Sequence, residues 1–346
     1  MPTKLSRFCE GVMEAAWLAA IILVPVFFNI YSSRIFEPDK ITLLRSLVLV
    51  ILGAWLVKTV DDGGVVWDGL KPEGSKIQYI LKFPMIVPVG FLAIVYLIAT
   101  VFSVTPWVSL LGSYQRLQGT YTTFSYLLIF AALLVHLRRR AQVERLITAV
   151  VLTSLPIALY GVLQKYRLDP IPWGGDTAAR IASNMGNSIF VAAYLIMAFP
   201  LTLGRIIQAF RAILRDETHV WEQVSRATVY VFIASLQVIA LYMSGSRGPA
   251  LGWMVGCFFL FLLFSLYWNK RWLTISVIGM AALLAIFLLV FNLPGGPLQA
   301  LKSSPVIGRF GLLLDSQSNS ALVRKYIWQG AVKLVLPHAP LEFPDD

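Results

Sequence analysis

Long apolar runs, broken by short polar gaps, recur from Trp17 to Phe291. A helix that crosses a bilayer needs about 20 mostly apolar residues. In hydrocarbon every backbone polar group must be paired within the segment, so each such run is read as a helix. The pattern predicts nine spans, approximately Val12–Ile30, Ile41–Val57, Pro84–Phe102, Tyr121–Leu137, Leu146–Gln164, Gly186–Leu203, Ala227–Met243, Pro249–Tyr267 and Trp272–Phe291. The second and fourth are short for the task. The expected fold class is an all-α polytopic membrane protein, with residues 1–291 as its transmembrane helical domain. The first run is expected to stay as a helix, because Glu10 and Glu14 flank it and no small-residue cleavage site follows.

The stretch after Phe291 changes character. It opens with the turn-rich Asn292-Leu-Pro-Gly-Gly-Pro297. From Ala321 to Leu336 the apolar residues Leu322, Ile327, Ala331, Leu334 and Val335 recur at helical spacing. Residues 292–346 are read as the beginning of a loop outside the membrane, cut short at Asp346.

Composition narrows the class. Of 346 residues, 58% are hydrophobic and 14% charged, against about 25% charged in an average soluble domain. That excludes a disordered chain and argues against a soluble enzyme. The net charge is +11. In a soluble protein such an excess would suggest nucleic acid, but no soluble domain carries a basic patch here, so no nucleic acid is expected. Basic residues instead mark the cytoplasmic side of membrane proteins. With the N-terminus inside, sixteen Lys and Arg near span ends fall inside and eight outside. This bias predicts a multi-pass protein of the cytoplasmic (inner) membrane with a cytoplasmic N-terminus and residues 292–346 outside.

Signatures of soluble enzymes are absent: there is no phosphate-binding glycine loop, dinucleotide fingerprint or His-Glu-x-x-His helix. His136, beside Arg138, and His219, in an Arg-rich loop, fall at cytoplasmic positions and are read as solvated surface residues. Cys9 and Cys257 make no metal site. No metal and no cofactor are expected.

The informative residues are cations on the outer side, where the bias says they should be scarce. Arg247 lies in Ser244-Gly-Ser-Arg-Gly-Pro249. Small residues let that backbone turn tightly, and Pro249 suits the first turn of the next helix. Arg247 is therefore placed at a helix N-terminus, where free N–H groups favour an anion. Arg180 precedes the sixth span in Arg180-Ile-Ala-Ser-Asn184-Met-Gly-Asn187, with Asn184 or Asn187 as the helix cap. Arg116 sits in the glycine-bounded loop Gly112-Ser-Tyr-Gln-Arg-Leu-Gln-Gly119. Arg45 is placed inside the second span, about one turn from its outer end, where a charge must snorkel or face a cavity. The four are expected to converge on one basic pocket for phosphate, which the forked guanidinium suits.

Five segments, in order, resemble the O-antigen ligase family, which includes related polysaccharide polymerases. They are Phe36-Glu-Pro-Asp-Lys40 with Leu44-Arg45, then Gly112–Gly119, then Arg180 with Gly186-Asn-Ser-Ile-Phe-Val-Ala-Ala-Tyr-Leu195, then Ser244–Gly248, and finally Arg324-Lys-Tyr-Ile-Trp328. The resemblance implies a C-type glycosyltransferase-like architecture that acts on the outer face of the cytoplasmic membrane. Such enzymes take a glycan from a polyprenyl pyrophosphate carrier and join it to a glycan or lipid acceptor, without a metal. It also implies that Arg180 and Arg247 hold the pyrophosphate and that a histidine in the outer loop acts as base. The histidine in that compartment is His338, between Pro337 and Pro340, a setting unlike the family's. A family loop would continue past Asp346, so the chain is expected to be truncated or split and to have little transferase activity alone. The competing readings are a transporter or flippase for a lipid-linked or anionic substrate, and a non-catalytic membrane subunit. Nearly charge-free mid-span positions favour chemistry at one face over passage through the bilayer.

The topology is tested by single cysteines at positions 303 and 211. A membrane-impermeant maleimide is expected to label Ser303→Cys from outside and Arg211→Cys only after permeabilisation; the reverse pattern would overturn the orientation.

Overall fold

A computed structural model describes residues 3–64, 85–171, 175–215, 220–293, 296–299, 302, 308 and 319–336. The described residues form helices and no strands. They divide into two compact units, Met1–Ser246 and Arg247–Asp346.

In the first unit the helices are α1 (Lys4–Val26), α2 (Glu37–Asp61), α3 (Ile86–Val101), α4 (Pro106–Leu111), α5 (Thr120–His136), α6 (Arg140–Lys165), α7 (Ser188–Ile213) and α8 (Val220–Met243), with a 3₁₀ turn at Ser183–Met185 before α7. The second unit holds α9 (Arg247–Tyr267), α10 (Arg271–Asn292) and α11 (Asn319–Val335). Seven of these, α1, α2, α6, α7, α8, α9 and α10, are long and apolar enough to cross a membrane. The other two expected spans are the shorter apolar helices α3, of 16 residues, and α5, of 17.

Several helices outrun the apolar pattern. The expected second span, read as short, is a helix of 25 residues that begins at Glu37. The polar Glu-Pro-Asp-Lys stretch starts it, because proline fits the first turn and acids there meet the helix dipole. Arg45 is therefore about two turns from the helix start rather than one. Helix α7 runs ten residues past the apolar run, to Ile213. It is held to α6 through Arg205, whose guanidinium meets the Glu144 carboxylate and donates to Thr148 Oγ1 at 2.9 Å. An ion pair at a bundle end lets a charged residue continue the helix.

Two apolar clusters organise the first unit. Met13, Ala16 and Trp17 of α1 pack with Ile51 of α2 and Ala132 of α5. Ile157 and Ala158 of α6 pack with Ile181, with Val191 and Leu195 of α7, and with Ala240 of α8. Between α6, α7 and α8 the buried Gln237 donates to Ser154 Oγ at 2.7 Å and to Thr202 Oγ1 at 2.9 Å. Those hydroxyls pass their own hydrogens to the Val151 and Ala198 carbonyls, so the apolar interior carries a hydrogen-bonded seam.

At the end where α1 begins, the buried Lys58 Nζ contacts Ser6 Oγ at 2.6 Å, Asp62 at 2.7 Å and Glu10 at 3.2 Å. The Lys58 hydrogen bond holds the Asp62 carboxyl below the usual carboxylate range. His136, expected in solvent, is half-buried, its ring edge-on to Trp55 at 5.5 Å. The reason is that the last turn of α5 packs on α2 instead of leaving the bundle.

At the opposite end Gly186 turns the chain into α7 with φ +69°, and a Cβ there would lie 2.2 Å from the Phe36 ring. Gly186→Ala is expected to destabilise the protein by about 1–3 kcal/mol through backbone strain and the displaced ring. A lowered thermal midpoint in detergent, partly restored by adding Phe36→Ala, checks this.

Candidate polar site at the loop end

Loops and helix ends meet where α1 and α6 finish and α2, α5 and α7 start. Each loop there is anchored by a side chain from a helix. Gln164, buried in the last turn of α6, accepts from Ala182 N at 3.1 Å and Ser183 N at 2.6 Å. Ser183 donates to the Ile157 carbonyl at 2.7 Å, and Asn184 Nδ2 to the Val26 carbonyl at 3.2 Å. Lys40 Nζ, from the first turn of α2, closes the arrangement by donating to the Pro25 carbonyl at 3.0 Å and the Asn184 carbonyl at 2.8 Å. Asn187 is the cap of α7: its Oδ1 accepts from Ile189 N at 2.8 Å. The two asparagines left open by the sequence thus have different tasks.

Arg45 anchors the second loop. Its guanidinium donates to the Leu111 carbonyl at 2.9 Å, the Leu117 carbonyl at 2.7 Å and Thr122 Oγ1 at 2.7 Å, and its Cζ lies 4.4 Å from the centre of the Tyr121 ring. A cation over an aromatic face is stabilised without water. Gly112 and Gly119 cross at the base of this loop so closely that a Cβ on either would lie 2.4 Å from backbone. Arg45 therefore holds a loop; these bonds aim its donors at protein carbonyls.

Arg116, at the tip of the same loop, is exposed and reaches back to α2, with Nε 3.4 Å from Glu37 Oε2. It borders a cleft of about 350 Å³ that also takes in Arg34, Phe36, Gln115 and Asn187. Arg180 follows a turn in which Asp176 Oδ1 accepts from the backbone N–H of Ala178 and Ala179. Its Nε donates to the Ser244 carbonyl and its Nη2 to Ser246 Oγ, both at 3.2 Å. Ser246 Oγ in turn lies 3.5 Å from Ser188 Oγ at the start of α7. Arg180 is exposed, so it rests on the 244–246 loop with part of its fork facing out.

The structure thus joins Arg45 to the Arg116 loop, and Arg180 to the Ser244–Ser246 loop. Arg247 is the first residue of α9 in the second unit, with Pro249 in that helix's first turn. His338, like His219, lies outside the described residues. Among those residues no three His, Cys, Asp or Glu side chains gather as a metal site.

Sequence reasoning missed Gln164, Ser183 and Glu37 as working residues. Gln164 offered a signal: an amide closing an apolar run must find partners where the run ends.

Apolar helices long enough to cross a membrane, with a polar layer of anchored loops at one end, define a polytopic all-α membrane protein. The family model described as "O-Antigen ligase" matches residues 231–342. That stretch is about a third of the chain and runs from α8 through α11. The match supports the O-antigen ligase family for this protein. No curated protein and no solved structure matches it.

Replacing Arg45 tests its anchoring role. Arg45→Ala removes several bonds to buried or half-buried acceptors and is expected to raise hydrogen exchange across 111–119 at least tenfold. Exchange at Gln164 and Ser183, held by other side chains, should stay within twofold. Unchanged exchange at 111–119 would remove Arg45 from that role.

Proposed function

We propose that the protein is a membrane glycosyltransferase of the O-antigen ligase class. It transfers a glycan from a polyprenyl pyrophosphate carrier to a glycan or lipid acceptor at the outer face of the cytoplasmic membrane. The N-terminus is cytoplasmic, and residues 292–346 lie outside, after a transmembrane domain over 1–291. The observation that carries the reading is Arg180, which is steadied by Ser244 and Ser246 and still exposed, in a chain whose 231–342 segment matches the ligase family.

In the reaction an acceptor hydroxyl attacks the anomeric carbon. The bond from that carbon to the pyrophosphate oxygen breaks, its electron pair stays on the pyrophosphate, and the hydroxyl proton passes to a base. Developing charge on the leaving group is the chief demand, and fixed donors aimed at it meet that demand without reorganisation. Arg180 is assigned to this charge. Arg247, which follows Ser246 directly in the chain, is assigned to it through the family resemblance. Arg116 is assigned a flanking contact with the substrate. No residue is assigned as the base, since the prolines around His338 are unlike the family's setting.

A charged hydrogen bond contributes about 1.5–3 kcal/mol, so Arg180→Ala or Arg247→Ala should weaken undecaprenyl pyrophosphate binding about 10- to 150-fold. Arg180→Lys should also weaken it, because the charge stays and the fork is lost. Arg139→Ala, at the other end of the bundle, should have no effect. Binding to nanodisc-embedded protein measures this; parent-like affinity in the Arg180 and Arg247 variants would overturn the assignment.

A further inference from the structure

The cleft beside Arg116 differs chemically from a bare phosphate site. Its walls come from the α1–α2 connection, the 112–119 loop and the start of α7, and each wall is held by side chains outside the cleft. Lys40 and Asn184 fix the first to the third, and Arg45 fixes the second. The cavity is therefore formed in advance, which reduces the ordering cost of binding.

Its charges do not cancel. The Arg116 guanidinium pairs with Glu37. Arg34 also lines the cleft, is exposed, and has no side-chain partner among the described residues. One positive charge is left over. Beside it stand groups that suit hydroxyls: the Gln115 amide, the Ser33 hydroxyl and the Asn187 amide nitrogen, whose oxygen is already used in capping α7. Glu37 would repel a multiply charged phosphate but accepts from a hydroxyl. Phe36 and Phe190 add apolar surface. Alternating hydroxyl donors, an apolar ring face and one negative charge describe an acidic sugar. A cleft of about 350 Å³ is at the small end of ordinary ligand sites, on the scale of a small ligand rather than a long chain.

The cleft also connects to the Arg180 site. Arg180 reaches Ser246, Ser246 lies against Ser188, and Ser188 follows the cleft residue Asn187.

We propose that this cleft is a carbohydrate subsite that takes one sugar ring carrying a single anionic substituent, read by Arg34. The proposal rests on the glycosyltransferase reading and names the substrate class it would select. The shared chemistry is an acidic sugar, whether it arrives on the lipid carrier or on the acceptor.

The test uses the full chain in nanodiscs and two oligosaccharide probes of equal length, one containing glucuronate and one with glucose in its place. Saturation-transfer NMR and titration report binding. The parent should bind the acidic probe at least tenfold more tightly than the neutral one. Arg34→Ala should lower acidic-probe affinity by about tenfold or more and leave the neutral probe within twofold. Arg34→Lys should fall between, which separates lost charge from a collapsed loop. An undecaprenyl-pyrophosphate-linked acidic glycan that displaces the probe would place the sugar on the donor, and co-binding would place it on the acceptor; either supports the subsite. Equal binding of the two probes, no acidic-probe binding, unchanged affinity in Arg34→Ala, or displacement by inorganic phosphate at equal concentration would overturn it. Undecaprenyl pyrophosphate binding, sensitive to Arg180→Ala but not to Arg34→Ala, is read in parallel. The carrier assignment and the sugar assignment can therefore fail separately.

Discussion

The loop end of the first unit depends on one constraint: where apolar helices stop, the polar groups of the connecting chain must still find partners. Here long side chains from the helices supply them. Gln164 takes two backbone N–H groups of the 182–183 turn, and Lys40 takes two carbonyls. Arg45 takes two more carbonyls from the 111–117 loop. Removing one such group would leave part-buried backbone groups unsatisfied, each costing up to about 1–3 kcal/mol. Each loop is thereby tied to the helix ends by side-chain hydrogen bonds.

The anchoring bears on the proposed function. A site for a developing negative charge works best when its donors are in place before reaction. The anchors use Lys40 and Arg45 for structure and leave Arg180, Arg116 and Arg34 at the exposed side. Cations at this end thus fall into two groups, one turned to backbone carbonyls and one turned outward. At the other end of the same helices several cations are paired with carboxylates instead, as in Lys58 with Asp62 and Arg205 with Glu144.

Much of the fold was legible because apolar runs determine where a membrane helix can be. The runs located the nine apolar helices found among the described residues, seven of them long enough to cross a membrane, and the stretch that became α11. Helix limits were less legible. Hydropathy stops at the first charged residue, whereas Glu37 begins α2 and Arg205 continues α7 because dipole and ion-pair contacts offset their polarity. Among the candidate site residues, Arg180 lies beside the Ser-Gly-Ser loop that the sequence had singled out. Arg45 was legible as an anomaly but not in its task, since nothing local shows that its partners are carbonyls some 66 to 72 positions away. His136 looked solvated for a similar reason, because the packing of α5 on α2 is a tertiary fact.

The central claim is that a polyprenyl pyrophosphate meets this protein at the anchored loop end. The most direct measurement is photocrosslinking with an undecaprenyl pyrophosphate analogue carrying a diazirine next to the pyrophosphate, followed by peptide mapping of the nanodisc-embedded chain. The account predicts adducts within residues 180–188 and 244–248, reduced by excess undecaprenyl pyrophosphate. Adducts confined to the opposite end, around residues 138–145, or unaffected by competitor, would contradict it.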